Sequence, residues 1–113
     1  RNAVLDIGLL KAIAEKAGIT TGGAYQVLQH LAIALKEGRI DESLIKNVDF
    51  IVNVGNIWSG LEDFSAKSAL DSLLEAGAVT PNNLEEVKSL FAAIAENAGG
   101  AAGSAYNALQ FLA

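Results

Sequence analysis

Twenty-two residues near one end of this chain recur near the other, and no gap is needed to align them. Residues 11–32 read KAIAEKAGITTGGAYQVLQHLA and residues 92–113 read AAIAENAGGAAGSAYNALQFLA. At a constant offset of 81, 13 of the 22 positions are identical. Alanine matches carry little weight in a chain with 20 alanines, but Ile13/Ile94, Glu15/Glu96, Tyr25/Tyr106 and Gln29/Gln110 do. A weaker echo has an offset of 39, where Gly38, Ile40, Ile45, Val48 and Ile51 fall on Gly77, Val79, Leu84, Val87 and Leu90. Each half-unit of about 40 residues then reads as a helix, a glycine stop, a short apolar link and a second helix. A helical hairpin cannot bury its apolar stripe alone, so the pattern demands stacking.

Composition agrees. Twenty alanines and 15 leucines against one proline in 113 residues favour helices over a sandwich or barrel. The expected fold is a single all-α domain over residues 1–113, a bundle of five to six helices built from tandem hairpins. Without cysteine there is no disulfide, thiolate metal site or cysteine nucleophile. One histidine excludes a multi-histidine metal site, and no cofactor is expected. The net charge of −5 argues against nucleic acid or an anionic membrane as partner. No apolar run reaches the ~18 residues of a membrane span. The start at Arg1, with neither methionine nor a signal peptide, reads as a piece of a longer chain.

The first helix is expected from Ala3 to Ala17, with Leu5, Leu9, Ala12 and Ile13 inward and Gly18 as its stop. A loop, ITTGG, leads to a second helix over 23–37 with Tyr25, Leu28, Leu31, Ala32 and Leu35 on one face. Asp41 caps a third helix over 42–55, carrying Leu44, Ile45, Val48, Ile51 and Val52. Ser59-Gly60-Leu61-Glu62 reads as a capping box opening a fourth helix to Ala76, which buries Leu61, Phe64, Ala69, Leu70, Leu73 and Leu74. Thr80-Pro81 opens a fifth over 81–97 with Leu84, Val87, Leu90, Phe91 and Ile94 inward. NAGGAAG is expected as a loop, followed by a sixth helix matching the second. The β-branched stretch IVNVGNIWSG admits a strand over 50–54, but its place in the repeat favours a helix.

His30 is the one conventional general base, and a catalytic triad would need it beside a serine and an acid. Its repeat counterpart is Phe111, so a packing role is expected. The pairs Asp41/Glu42, Glu62/Asp63 and Glu85/Glu86 each open a helix, where the dipole stabilises negative charge. They are read as capping groups, not as catalytic or calcium-binding acids. Gly99-Gly100-Ala101-Ala102-Gly103 lacks the preceding strand of a dinucleotide-binding loop, and its counterpart Gly18–Gly22 loses the pattern, so both are hairpin turns. Tyr25, Gln29, Tyr106 and Gln110 recur at helical spacing and read either as inter-module contacts or as half-buried tyrosines with a polar rim. Trp58, the single tryptophan, is expected as an apolar core cap under a loop, and would also serve as an interface anchor.

The segments SAYNALQFLA (104–113), GAYQVLQHLA (23–32) and LLEAGAVTPNNLEEVKSLFAAI (73–94) resemble the folded repetitive or spacer domains of spider silk proteins, the spidroins. The chain departs from the aciniform and tubuliform repeats in having seven serines, three glutamines and more charge. The resemblance implies an all-helical module of a secreted fibre and carries no catalytic residue.

The expected function is structural and not enzymatic. A globular module hides its apolar residues, net negative charge keeps a concentrated stock soluble, and modules then self-associate into fibres. The alternative is a non-enzymatic helical-repeat module that presents a groove to a protein partner.

Overall fold

Asp6 opens the first helix by accepting the Gly8 N–H at 2.9 Å, satisfying one of the donors that a helix start leaves free. The computed structural model describes residues 6–113, and α1 spans Ile7–Ala17. The expected start at Ala3 and the expected inward Leu5 lie outside the described residues. Gly18 ends α1 with φ 57 and ψ −122. One 3-10 turn, Gly18–Thr20, then leads straight into α2, Thr21–Lys36. The expected loop is therefore mostly helical. The Thr20 and Thr21 hydroxyls donate to the carbonyls of Ala17 and Gly18 at 2.8 and 2.5 Å, closing the corner with side chains.

The second stop is Gly38, at φ 77, with the Arg39 N–H bonded back to the Ala34 carbonyl at 2.8 Å. Beyond it, the single helix expected over 42–55 is broken in two. α3 is one turn, Glu42–Ile45, capped by Asp41, and α4 runs Val48–Gly60. Asn47 causes the break, because its side chain accepts the Phe50 N–H at 3.0 Å and starts a new helix. The stretch 51–60 lies wholly in α4, and no strand occurs among the described residues.

Ser59 and Gly60 finish α4 instead of capping the next helix. The cap is Asp63, which accepts the Ser65 N–H at 2.8 Å and opens α5, Phe64–Glu75. That later start sets the phase of the apolar stripe. Ala66, Ala69, Leu70 and Leu74 point inward, while Phe64 stands 80% exposed, contrary to expectation. A similar shift occurs in α2, whose buried stripe is Ala24, Val27, Leu28, Leu31 and Ala34, leaving Tyr25 at its edge.

After α5 the backbone repeats its earlier manoeuvre. Gly77 has φ 74, and the Ala78 N–H bonds to the Leu73 carbonyl at 2.9 Å, matching Gly38 at the offset of 39. The side chain of Asn83 accepts from the Thr80 N–H at 2.8 Å, and the Thr80 hydroxyl accepts from the Asn83 N–H at 3.3 Å. This reciprocal pair closes a turn over 81–83, so α6 starts one turn later than expected, at Leu84–Ala98. Leu90, expected inward, is 42% exposed on it. NAGGAAG is no loop either: a 3-10 turn, Gly99–Ala101, joins α6 to α7, Ala102–Leu112. Gly99 has φ 54 and ψ −123, the values of Gly18 within a few degrees. The sequence repeat is a repeat of backbone geometry.

Two hairpins, α1 with α2 and α6 with α7, flank α4 and α5, which follow one another in the chain but pack on other helices instead of on each other. α2 packs on α4 and α5, α1 packs on α4, and α5 lies between α2 and α7. Their fully buried side chains include Ile13, Leu31, Ile45, Ile51, Leu70, Leu74 and Val79.

The tightest approach is between α2 and α4. A Cβ placed on Gly23 would sit 2.6 Å from the Gly55 carbonyl oxygen and 2.2 Å from the Ser59 hydroxyl. One placed on Gly55 would sit 2.7 Å from the Ala24 nitrogen. Neighbouring Gly22 faces open space. Gly55→Ala is therefore expected to lower stability by about 2 kcal/mol or more, because backbone must move to admit the methyl. Gly22→Ala, in the same helical conformation without a clash, is expected to raise it by up to about 1 kcal/mol. Urea unfolding midpoints of the two variants measure the opposite signs.

Candidate functional site

Both tyrosines of the repeat turn back on the preceding helix in the same way. The Tyr25 hydroxyl donates to the Leu10 carbonyl at 3.2 Å, and the Tyr106 hydroxyl to the Phe91 carbonyl at 3.2 Å. The partners, like the donors, are 81 residues apart. What differs is the surroundings. Tyr106 is 3% exposed, its ring stacked on Phe91 with centroids 5.6 Å apart. Burial pushes its hydroxyl pKa up, and the nearby Asp63 charge adds to the rise. It lines a cleft of about 520 Å³ with Ile57, Leu61, Asp63, Ala66 and Phe91, where α4 and α5 meet the last hairpin.

Tyr25 is 36% exposed. With Gln29 it lines an open groove of about 500 Å³ that also includes Leu10, Leu28 and Ala32. Two of the candidate contact residues thus share one surface, and its wall is mainly apolar. Gln110 is half-buried on α7, and Trp58 belongs to a different region.

Trp58 stands at the head of a polar joint across three helices. Its indole N–H donates to Asp71 Oδ1 at 2.9 Å, and Lys67 Nζ lies 4.5 Å from the ring centroid. The other oxygen of Asp71 is 3.3 Å from His30 Nε2, while His30 Nδ1 is 2.5 Å from Glu75 Oε2. The Arg39 guanidinium adds a bond to the Glu75 carbonyl at 3.2 Å. His30 is packed, with 20% of its side chain exposed, but between carboxylates and not as the phenyl ring of its counterpart would be. Phe111 itself is 89% exposed. The expected apolar setting for Trp58 gives way to this polar one.

The arrangement binds α2, α4 and α5 to each other. Both His30 ring nitrogens face acids, and among the described residues no serine or threonine hydroxyl bonds to the ring. No group of three or more histidine, aspartate or glutamate side chains is arranged to hold a metal ion among the described residues. Asp71, Glu75 and Lys67 were not singled out from sequence. Their spacing of four along α5 puts every charged residue of that helix in one row, which was the available signal.

The paired acids sit at helix starts. Asp41 and Asp63 accept backbone N–H groups, and Glu85 and Glu86 lie in the first turn of α6. The Ser43 hydroxyl, bonded at 2.6 Å, holds the Asp41 carboxyl below its usual pKa.

Burial raises the Asp71 pKa above its ordinary 3.8, against the lowering effects of His30 and the Trp58 N–H. A raised acid contributes stability that is complete below the unfolded value and lost as pH climbs through the folded one. Asp71→Asn keeps an acceptor for Trp58 and removes that dependence. The variant is expected to gain stability relative to the parent as pH rises from acid to neutral. Urea midpoints measured across that range check the sign.

Comparison with protein-family models, with curated proteins and with solved structures found no match.

Proposed function

We propose that this chain is a non-enzymatic structural module of a repetitive, secreted fibre protein, similar to the folded spidroin domains, and that its partners are other modules of the same protein. The observation that carries this reading is the return of a whole hairpin at 81 residues, with the same glycine angles, the same 3-10 corner and the same tyrosine-to-carbonyl bond. A chain that rebuilds one hairpin inside itself is the elementary form of an array.

The distribution of side chains supports the same reading. The β-branched stretch Phe50–Val54 is mostly buried in α4, so the segment best suited to β-sheet is held helical. Net charge of −5 opposes close approach of neighbouring modules in a concentrated stock. Conversion then requires that stacking be disturbed, so that this segment is released to pair with its copies. The joint at His30 supports a structural role too, because both ring nitrogens are engaged by carboxylates of α5.

The test is a concentrated solution of the chain under shear or slow dehydration, followed by infrared spectroscopy and microscopy. Fibres with a gain in β-sheet signal are expected. Protein that stays monomeric and helical overturns the fibre reading in favour of a helical-repeat scaffold that binds a different protein.

A further inference from the structure

The groove on α1 and α2 has a counterpart in the same molecule that is already filled. Adding 81 to Leu10, Tyr25 and Leu28 gives Phe91, Tyr106 and Leu109, on the face of the last hairpin that meets α5. Across that joint, a side chain at Gly103 would start 4.0 Å from both Asp63 Oδ2 and Ser65 Oγ, at the first turn of α5. Gly22, the identical residue 81 positions earlier, faces nothing within 4 Å. Tyrosine and glycine are thus present twice, covered at Tyr106 and Gly103 and open at Tyr25 and Gly22, with Leu28 buried at the floor of the open copy. The covered copy identifies what fits the bare one.

We infer that the Leu10–Tyr25–Leu28–Gln29 groove is a docking surface for the α5-type helix of another copy of the repeat, seated as α5 is seated on Tyr106. This rests on the array reading above but not on fibre formation. The occupant brings Asp63 and Ser65 over Gly22 and lays the small side chain of Ala66 towards the tyrosine, as it does in the cleft beside Tyr106. Chemically the partner is an amphipathic helix with small residues in its first turns and an acidic N-cap. A bulky first turn would be excluded by the glycine.

The match is closest on this side of the hairpin. On the opposite side Gly23 is replaced by Ser104 and Val27 by Ala108, so the two faces of the repeated hairpin are not equally preserved.

An in-register tandem chain tests the inference: residues 1–87 joined directly to Ile7–Ala113 of a second copy, which keeps the offset of 81 and contains every described helix. The face of its leading α5 that α7 covers in the single chain has only the trailing α1 and α2 to cover it. A single cooperative thermal transition, at or above the midpoint of the single chain, is the expected result. Gly22→Glu in the trailing copy sets a carboxylate against Asp63 and is expected to split off an earlier transition, lower by about 4 °C or more. In the single chain the same substitution lies in the open first turn of α2, where negative charge is favourable, and leaves the midpoint unchanged or higher. Gly103→Glu in the single chain is expected to lower it.

A leading segment that melts separately below the single chain overturns the inference. So does a Gly22→Glu effect no larger in the tandem than in the single chain. A single chain that dimerises through this groove, dimeric by sedimentation until Gly22→Glu makes it monomeric, overturns the choice of occupant. Failure to form fibres under shear bears on the fibre reading alone and leaves these outcomes intact.

Discussion

The close crossing of α2 and α4 at Gly23 and Gly55 is the constraint on which the remaining packing depends. Two helices can approach to backbone contact only where neither carries a Cβ, and here both positions are glycine. Each glycine costs helix propensity on the order of 1 kcal/mol, so the crossing must return more than that through burial. It does so by bringing Val27, Leu31, Ile51 and Val54 together with no exposed area. Dispersion and burial both depend steeply on this approach, since gaps smaller than a water molecule lose contacts outright. With α2 and α4 locked, α1 and α5 find their places on either side.

The polar joint is the second constraint, and it works differently. Asp71 is largely withdrawn from water, and its carboxylate would be costly to bury without partners. The indole N–H of Trp58 and the imidazole of His30 satisfy its two oxygens from two different helices. Such a joint contributes geometry more than energy, because the attraction largely offsets desolvation. It fixes the rotation of α5 about its axis, which in turn determines that Ala66 and the Asp63 cap face the last hairpin. Phe111 has no such task, which explains why a phenyl ring at the equivalent position is left on the surface.

Much of the architecture was legible in the residues because repetition removes ambiguity. The helical assignment of IVNVGNIWSG rested on its register in the repeat, against its β-branched composition, and register prevailed. What was not legible turned on single side-chain bonds. Asn47 breaks a helix that apolar periodicity carries straight through, and Asp63 takes the capping role from Ser59. Both are choices between nearby polar groups separated by a fraction of a kcal/mol to about one kcal/mol, beyond the resolving power of a pattern. The candidate contacts divided for a related reason. Tyr25 and Tyr106 share the frame Gly-x-Ala-Tyr-x-x-Leu-Gln, and the position of α5 in the fold distinguishes the exposed ring from the buried one. His30 was legible as packed, but its acid partners come from α5, 41 and 45 positions away.

One difference between the copies bears on mechanics. Ser104 stands where Gly23 stands, so a helix approaching α7 as α4 approaches α2 must keep a side chain's width away. At Gly23 and Gly55 the α2–α4 joint closes to backbone contact, whereas the joint beneath the last hairpin encloses a cleft of about 520 Å³. A stack made of such units alternates stiff and compliant joints along its length. Under tension the compliant joints open first and take up the extension, while the glycine crossing keeps the α2–α4 pair intact until higher load.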